Sequence, residues 1–232
     1  MLDKRIAFTG IDPIGPDDIV ISMEDIFSIL LKYLVKDPES PEFKETPRRA
    51  ADWFKSFART PEYEFELDRF LEVDFESSHQ ELVMVSNLEF VSLCPHHLLP
   101  YSGTAAIGYV PGKTEPDRAM KISGYAGHHI VPAPNIFKVV GISKLARALW
   151  YWTHWPVKQE DATSMIADAL MRYIGAAGAM VVLQARHTCM CHRGVMQTHS
   201  LTTTSAARGF FQQDGSGLRQ EFLSLANIGG TR

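Results

Sequence analysis

The sequence has few cysteines, no long apolar run and no excess of positive charge. Three of its 232 residues are cysteine, an odd number that argues against a disulfide framework. No apolar stretch approaches the roughly 20 residues of a membrane span, and the N-terminal residues lack the apolar region of a signal peptide. The formal net charge of -4 provides no basic surface for nucleic acid. We therefore expect a cytoplasmic protein with no membrane or nucleic-acid partner.

The composition, 45% hydrophobic and 22% charged, is typical of a soluble globular protein. Patterning predicts an N-terminal arm and helices over residues 1–60 and a main domain over residues 61–232. In that domain, β-branched and aromatic residues predict strands, and apolar residues at helical spacing predict helices. The predicted strands are 81–93, 103–110, 179–187 and 195–204, and the predicted helices are 143–152, 161–176 and 218–225. Residues 112–137, broken by prolines and glycines, predict a long loop. The fold class is α+β, an antiparallel sheet flanked by helices, with a helical N-terminal segment.

Every cysteine lies within three residues of a histidine. One cluster reads CPHH over residues 94–97, and the other reads HTCMCH over residues 187–192. Zinc takes thiolate and imidazole ligands, and a catalytic zinc site keeps its fourth position open for water. Each cluster lies at the end of a predicted strand, so the two could converge on one ion. If residues 187–191 are extended, His187, Cys189 and Cys191 project to one face, and the pattern leaves Cys189 and Cys191 interchangeable.

A buried structural role is the alternative for these cysteines, because cysteine is among the most buried residue types. Spacing alone does not separate a closed structural site from a catalytic one. The clusters hold three cysteines and four histidines, more than a closed site needs. That surplus favours a catalytic metal site. Adjacent His96 and His97 point in different directions, so one can bind metal while the other faces a substrate.

The clusters belong to a series of motifs that resembles the GTP cyclohydrolase I family. Residues 94–100 followed by Gly103 resemble the family's CEHHLLP…G segment, and residues 187–194 resemble its HxCMxxRG. Further segments follow the order of the family's motifs. Residues 45–50 are similar to ETPxRxA, 140–147 to VIGLSKLAR, 159–160 to the end of QVQE, 202–205 to TTTS and 219–223 to TRxEFL. The resemblance covers most of residues 45–225.

The resemblance implies a tunnelling fold (T-fold), in which subunits join their sheets into a toroid. It therefore implies a homo-oligomer, a pentamer or a decamer, with active sites at subunit interfaces. The implied reaction is hydrolysis of GTP at purine C8 to formate and dihydroneopterin triphosphate, with residues 61–232 as the catalytic domain. Matched position by position, the Zn²⁺ ligands are Cys94, His97 and Cys189, which leaves Cys191 outside the site.

Other matched positions imply roles around a guanine nucleotide. The implied catalytic residues are His96, His187 and Ser143. The implied substrate-binding residues are Gln159, Glu160, Lys144, Arg147, Arg193 and Arg49. Histidine suits proton transfer to the purine nitrogens near neutral pH, and paired acceptors on the guanine edge discriminate against adenine. Basic residues match the charge of a triphosphate.

Three departures from the family pattern bear on the predicted site. Pro95 replaces a glutamate and lacks a backbone N–H. Asp52 stands where many members carry a lysine that helps to hold the triphosphate. Residues 112–137 form a long insertion, expected to make a subunit contact or cover the pocket; a ligand role for its His128 or His129 is the bolder hypothesis.

Three functions follow from this pattern and its departures. The first is GTP cyclohydrolase activity that feeds folate, biopterin or 7-deazapurine synthesis. The second is a related zinc hydrolase that acts on dGTP, GDP or GMP. The third is a non-catalytic relative that binds a purine or pterin. The third is disfavoured, because both proton-transfer histidines and all three implied ligands are retained.

Overall fold

The computed structural model describes residues 6–8, 15, 18–57, 74–113, 137–213, 215 and 217–226. The chain divides into two compact units, Met1–Ala58 and Arg59–Arg232. Almost all of the loop predicted over residues 112–137 lies outside the described residues, including His128 and His129.

The first unit contains two short strands and two helices. Strand β1 (Ile6–Phe8) pairs in parallel with β2 (Ile19–Ile21), and helices α1 (Met23–Leu34) and α2 (Thr46–Lys55) follow. A capping box starts α1: the Ser22 hydroxyl accepts from the Asp25 N–H at 3.1 Å, and the Asp25 carboxylate accepts from the Ser22 N–H at 2.8 Å. The rings of Phe27 and Phe54, 5.2 Å apart, pack α1 against α2.

A four-stranded antiparallel sheet forms the centre of the second unit. Its spatial order is β4 (Val83–Leu93), β5 (Pro100–Val110), β7 (Gly178–His187) and β8 (Thr202–Gly209). A separate antiparallel pair joins β3 (Asp74–Ser77) to β6 (Phe137–Val140). The helices of this unit are α3 (Ser143–Thr153), α4 (Gln159–Tyr173), the single turn α5 (Thr188–Cys191) and α6 (Leu218–Ala226).

Alternating side chains along β7 divide the core between the two faces of the sheet. Val181 and Leu183 belong to the larger apolar cluster, which also takes in buried residues of α3 and α4. Met180 and Val182 belong to a smaller cluster that includes Phe222 of α6. Since successive strand residues point to opposite faces, helices cover both sides of the sheet. The prediction of an α+β fold with a helix-flanked antiparallel sheet is confirmed.

The strand predicted over residues 195–204 is wrong in its position, because β8 begins only at Thr202. The preceding residues form turns instead. The N–H of Gln197 donates to the Met190 carbonyl at 2.8 Å, and the Ser200 N–H donates to the Gln197 carbonyl at 3.3 Å. Met196 has a φ of 53°, which is incompatible with an extended strand.

Gly103 marks a close approach between β5 and β7, and we expect Gly103→Ala to destabilise the protein. A Cβ at this position would lie 1.9 Å from the Gln184 carbonyl oxygen and 2.6 Å from Ala185 Cα, both backbone atoms. Overpacking of this kind costs about 1–3 kcal/mol or more. Chemical denaturation of Gly103→Ala beside Ser102→Ala, an exposed neighbour, measures the difference. Equal unfolding midpoints for the two variants would contradict this strand packing.

Candidate metal centre

The pairing of three strands brings the two Cys/His clusters together. The first cluster lies in the connection between the end of β4, Leu93, and the start of β5, Pro100. Because β5 runs antiparallel to both of its neighbours, its first residues also lie beside the end of β7, where Tyr101 faces His187 across the strands. The connection and the residues that follow β7 therefore meet at one end of the sheet.

The connection at Cys94 is a tight turn that accommodates Pro95. The Cys94 carbonyl accepts from the N–H of His97 at 3.2 Å and of Leu98 at 2.8 Å, and the Cys94 N–H donates to the Leu99 carbonyl at 2.9 Å. Proline is favoured at the second position of such a turn because its φ is already suitable. None of these hydrogen bonds uses the N–H that Pro95 lacks. The departure from the family glutamate is thus compatible with the turn.

Cys94, His97 and Cys189 form a cluster of potential metal ligands. Their donor atoms all lie within 4.8 Å of one another. The Sγ of Cys94 lies 3.5 Å from Nδ1 of His97. In a tetrahedral site, a sulfur at about 2.3 Å and a nitrogen at about 2.0 Å from zinc stand about 3.5 Å apart. The donor set therefore fits zinc, whose preference for thiolate and imidazole it matches.

The structure distinguishes Cys189 from Cys191, which the sequence pattern left interchangeable. Residues 188–191 form the helical turn α5, so the extended arrangement that would place both cysteines on one face is not formed. The Thr188 hydroxyl donates to the Pro100 carbonyl at 2.6 Å, which fixes the start of this turn. Residues two apart on a helix point in nearly opposite directions. Cys191 is consequently buried, and its Sγ lies 3.8 Å from the Thr198 carbonyl.

The electrostatics of the cluster favour a bound cation. Burial raises the pKa of the Cys189 thiol, and the adjacent Cys94 raises it further, whereas the charge of Arg193 lowers it. Two neighbouring thiolates oppose each other's ionisation, and a cation held between them removes that opposition. Arg193, a predicted phosphate ligand, is therefore near enough for its charge to influence this thiol.

Two histidines lie beside the cluster without belonging to it. His96 is exposed, with Nδ1 3.8 Å from the Sγ of Cys94. His187 stacks on the ring of Tyr101, with centroids 4.4 Å apart and planes 3° apart. Burial lowers the pKa of His187, and the carboxylate of Glu160 partly opposes this shift. Both predicted proton-transfer residues therefore lie next to the potential ligands, and His187 favours its neutral form.

Gln159 and Glu160 are adjacent at the start of α4 but have different surroundings. Glu160 is exposed, whereas Gln159 is only 1% exposed. The Gln159 amide group donates to the carbonyls of Leu183 and Thr202 at 3.1 and 3.0 Å, and its oxygen lies 2.8 Å from Nε2 of His187. This burial argues against direct contact between Gln159 and a nucleotide. Its contacts with β7 and β8, and those of Tyr101, were not foreseen from the sequence.

The other predicted substrate residues lie away from the cluster within this chain. Ser143, Lys144 and Arg147 lie on the first turns of α3. Beyond the far end of α3, the Val157 N–H donates to the Leu93 carbonyl at 3.1 Å, directly before the cysteine turn. An 11-residue helix is about 16 Å long. Ser143, Lys144 and Arg147 therefore lie at the opposite end of α3 from the segment that contacts the cysteine turn.

The remaining predicted phosphate ligand, Arg49, lies on α2 in the first unit. On the same helix, Arg48 donates to the Glu45 carboxylate at 2.9 Å and to the Asp52 carboxylate at 3.0 Å. Asp52, which stands in place of the family lysine, is thus paired with a cation of its own helix.

A cavity of about 320 Å³ lies between β4 and α3. Its lining includes Glu89, Phe90, Leu149 and Trp150, and none of the predicted site residues. The potential metal ligands are therefore outside this cavity.

Comparison with known proteins identifies the family of this chain. The family model described as GTP cyclohydrolase I matches residues 23–115 and 119–227. The chain belongs to the GTP cyclohydrolase I family. The predicted resemblance and the T-fold class are therefore confirmed. The family match takes in most of residues 112–137, and the proposed insertion there stays a prediction.

Named relatives agree with this assignment. The chain is 37% identical over 197 residues to a GTP cyclohydrolase 1 of Dehalococcoides mccartyi, which covers 84% of this chain and 90% of the relative. It is 39% identical over 197 residues to that of Corynebacterium glutamicum, covering 84% and 87%. It is 36% identical over 206 residues to that of Campylobacter jejuni, covering 88% and 94%. In the part of the chain that the structure describes, no helix is long and apolar enough to cross a membrane.

We expect Cys189→Ala to abolish stoichiometric zinc binding and Cys191→Ala to retain it. Only Cys189 belongs to the ligand cluster, whereas Cys191 is buried away from it. Inductively coupled plasma mass spectrometry of the two purified proteins, reconstituted and desalted in parallel, measures bound zinc. Loss of zinc from Cys191→Ala alone would show that the ligand choice is wrong.

Proposed function

We propose that this chain is a zinc-dependent GTP cyclohydrolase that hydrolyses GTP at C8 to formate and dihydroneopterin triphosphate. The observation that carries the proposal is the convergence of Cys94, His97 and Cys189 beside His96 and His187. Family membership supports the same reaction. All these residues belong to the second unit, so we assign the catalytic domain there. A cytoplasmic location, expected from the sequence, is part of the same proposal.

In this mechanism, Cys94, His97 and Cys189 would hold a zinc ion. The chemistry that zinc would supply in such a three-ligand site is activation of a water for nucleophilic attack at neutral pH. Breaking the bonds between C8 and its ring nitrogens requires a proton for each departing nitrogen. We assign the transfer of these protons to His96 and His187. A neutral imidazole can take up a proton from water at its free nitrogen and then pass that proton to the departing purine nitrogen near neutral pH.

Recognition of guanine is assigned to Glu160. Its exposed carboxylate lies close enough to His187 to influence the pKa of that ring. A carboxylate can accept from both N1–H and the 2-amino group of guanine, which adenine cannot supply as a pair. We assign triphosphate binding to the basic residues, of which Arg193 is near enough to Cys189 for its charge to influence that thiol.

We further propose that the active site is completed by a neighbouring subunit. Among the described strands, β4 pairs only with β5 and β8 pairs only with β7, and edge strands are sites of strand pairing between chains. Pairing of β4 with β8 of the next copy would generate a ring. The distance of Ser143, Lys144 and Arg147 from the ligands of their own chain supports their contribution from a neighbour. Arg49 is assigned to triphosphate in the same assembly, a pentamer or decamer.

A second candidate function is hydrolysis of another guanine nucleotide, such as dGTP, GDP or GMP. The specific observation is Asp52, an acidic residue paired with Arg48 where a phosphate-binding lysine is common. A site with one cation fewer obtains less binding free energy from the γ-phosphate, so a triphosphate has a smaller advantage over a diphosphate or monophosphate.

Turnover of a set of nucleotides tests both candidate functions directly. We expect zinc-loaded protein to release formate and a fluorescent pterin from GTP, and not from ATP. Parallel reactions with dGTP, GDP and GMP, compared by kcat/KM, separate the two candidates. A preference for GDP or dGTP favours the second function, and no turnover of any guanine nucleotide would rule out both.

Loss of the Glu160 carboxylate should weaken turnover of GTP strongly. Gln at this position would face the guanine N–H donors with a donor of its own, and a hydrogen bond to a charged group contributes about 1.5–3 kcal/mol. We therefore expect kcat/KM of Glu160→Gln to fall about 100-fold. Asp161→Asn is the matched control, since Asp161 pairs with Lys158 at the surface and exposed pairs contribute little. Similar kcat/KM values for both variants would refute the assignment of Glu160.

A further inference from the structure

The amide of Gln159 can take only one orientation. Its NH₂ group faces the carbonyl oxygens of Leu183 and Thr202 at 3.1 and 3.0 Å, and these oxygens only accept hydrogen bonds. The reversed amide would place its oxygen against both carbonyls. The amide oxygen must therefore face His187.

A closed set of hydroxyl hydrogen bonds supports this orientation. The Thr163 hydroxyl donates to the Gln159 backbone carbonyl at 2.6 Å and lies 2.6 Å from the Thr204 hydroxyl. Since Thr163 uses its only proton on the carbonyl, Thr204 donates to Thr163. Thr204 is then left as an acceptor for the Gln159 NH₂ group, 3.1 Å away. Every donor in the set has an acceptor.

The orientation of Gln159 determines which nitrogen of His187 carries the proton. The Gln159 oxygen has no proton to donate, and it lies 2.8 Å from Nε2 of His187. Nε2 must therefore donate, so the neutral ring keeps its lone pair on Nδ1. The alternative tautomer would set two lone pairs against each other.

The position of the His187 ring is restricted in a second direction by Tyr101. The two rings are stacked nearly parallel, 4.4 Å apart. Tyr101 is itself fixed, because it is 1% exposed and its hydroxyl donates to the Val157 carbonyl at 3.0 Å. Gln159 thus restricts the imidazole by a hydrogen bond in the plane of the ring, while Tyr101 restricts it by stacking on one face.

We propose that Gln159 is a positioning residue that holds His187 with its proton on Nε2, which leaves Nδ1 free to take up a proton and pass it to the purine. This inference rests on the proposed function, in which His187 transfers protons during ring opening. It gives Gln159 a role through His187 in place of direct contact with guanine. In this role Gln159 affects the proton-transfer step more than the binding of substrate.

Two substitutions at Gln159 separate positioning from packing. Gln159→Met has a similar shape and no polar group, whereas Gln159→Glu retains an acceptor for Nε2–H but places a carboxyl group in the core. We expect kcat with GTP to fall about 100-fold in Gln159→Met with KM changed less than about threefold. Gln159→Glu should retain at least about tenfold higher kcat than Gln159→Met, even with a lower melting temperature. Gln184→Met, the same substitution at an exposed glutamine of β7 that bonds to Thr203, should have a kcat close to that of the wild type.

A purely structural role predicts the reverse order, because apolar Met is tolerated in a core better than a carboxyl group. Higher kcat in Gln159→Met than in Gln159→Glu, or wild-type kcat in Gln159→Met, would overturn the proposal. Zinc content and melting temperature are measured for every variant, so that loss of metal or of folding is recognised.

The tautomer provides a readout that does not depend on turnover. In zinc-loaded wild-type protein labelled with ¹⁵N-histidine, NMR should show His187 protonated on Nε2, with the signal assigned by its absence from His187→Asn. Gln159→Met should show a mixture of tautomers. Protonation on Nδ1 in the wild type would refute the inference. If the wild type fails to turn over GTP, the proposed function is lost, and the NMR result alone decides the tautomer.

Discussion

The candidate site depends on one constraint, the antiparallel pairing of β5 between β4 and β7. This pairing places the Cys94 turn and the end of β7 at the same end of the sheet, although they are separated by about half of the second unit in sequence. The backbone hydrogen bonds of three strands fix this meeting point. The metal cluster, the two histidines and Glu160 all take their positions from it.

The site combines exposed reactive groups with buried groups that restrict them. His96, His97 and Glu160 are exposed, whereas Gln159, Thr163 and Tyr101 are each 1% exposed. A side chain held by packing and by satisfied hydrogen bonds keeps its geometry without further loss of conformational freedom when substrate binds. The buried set can therefore preorganise His187 while the cluster itself stays open to solvent and to a nucleotide.

The sequence predicted the sheet, the major helices and the ligand-bearing clusters, because these follow from periodicity and from family motifs. It could not decide between Cys189 and Cys191 from the residues alone, since that choice depends on the helical turn at residues 188–191, which Thr188 starts by bonding to Pro100. It also placed β8 too early, because the residues before Thr202 form turns. The hydrogen bonds of Gln159 with β7 and β8 join segments that are distant in sequence, which local patterns do not encode.

The most direct test of this account is the coordination of zinc, measured by X-ray absorption at the zinc edge of the reconstituted protein. The ligands Cys94, His97 and Cys189 predict two sulfur neighbours at about 2.3 Å, with nitrogen or oxygen neighbours at about 2.0 Å. Three sulfur neighbours would mean that Cys191 joins the site and that the helical turn at residues 188–191 opens. A shell without sulfur would contradict the metal centre altogether.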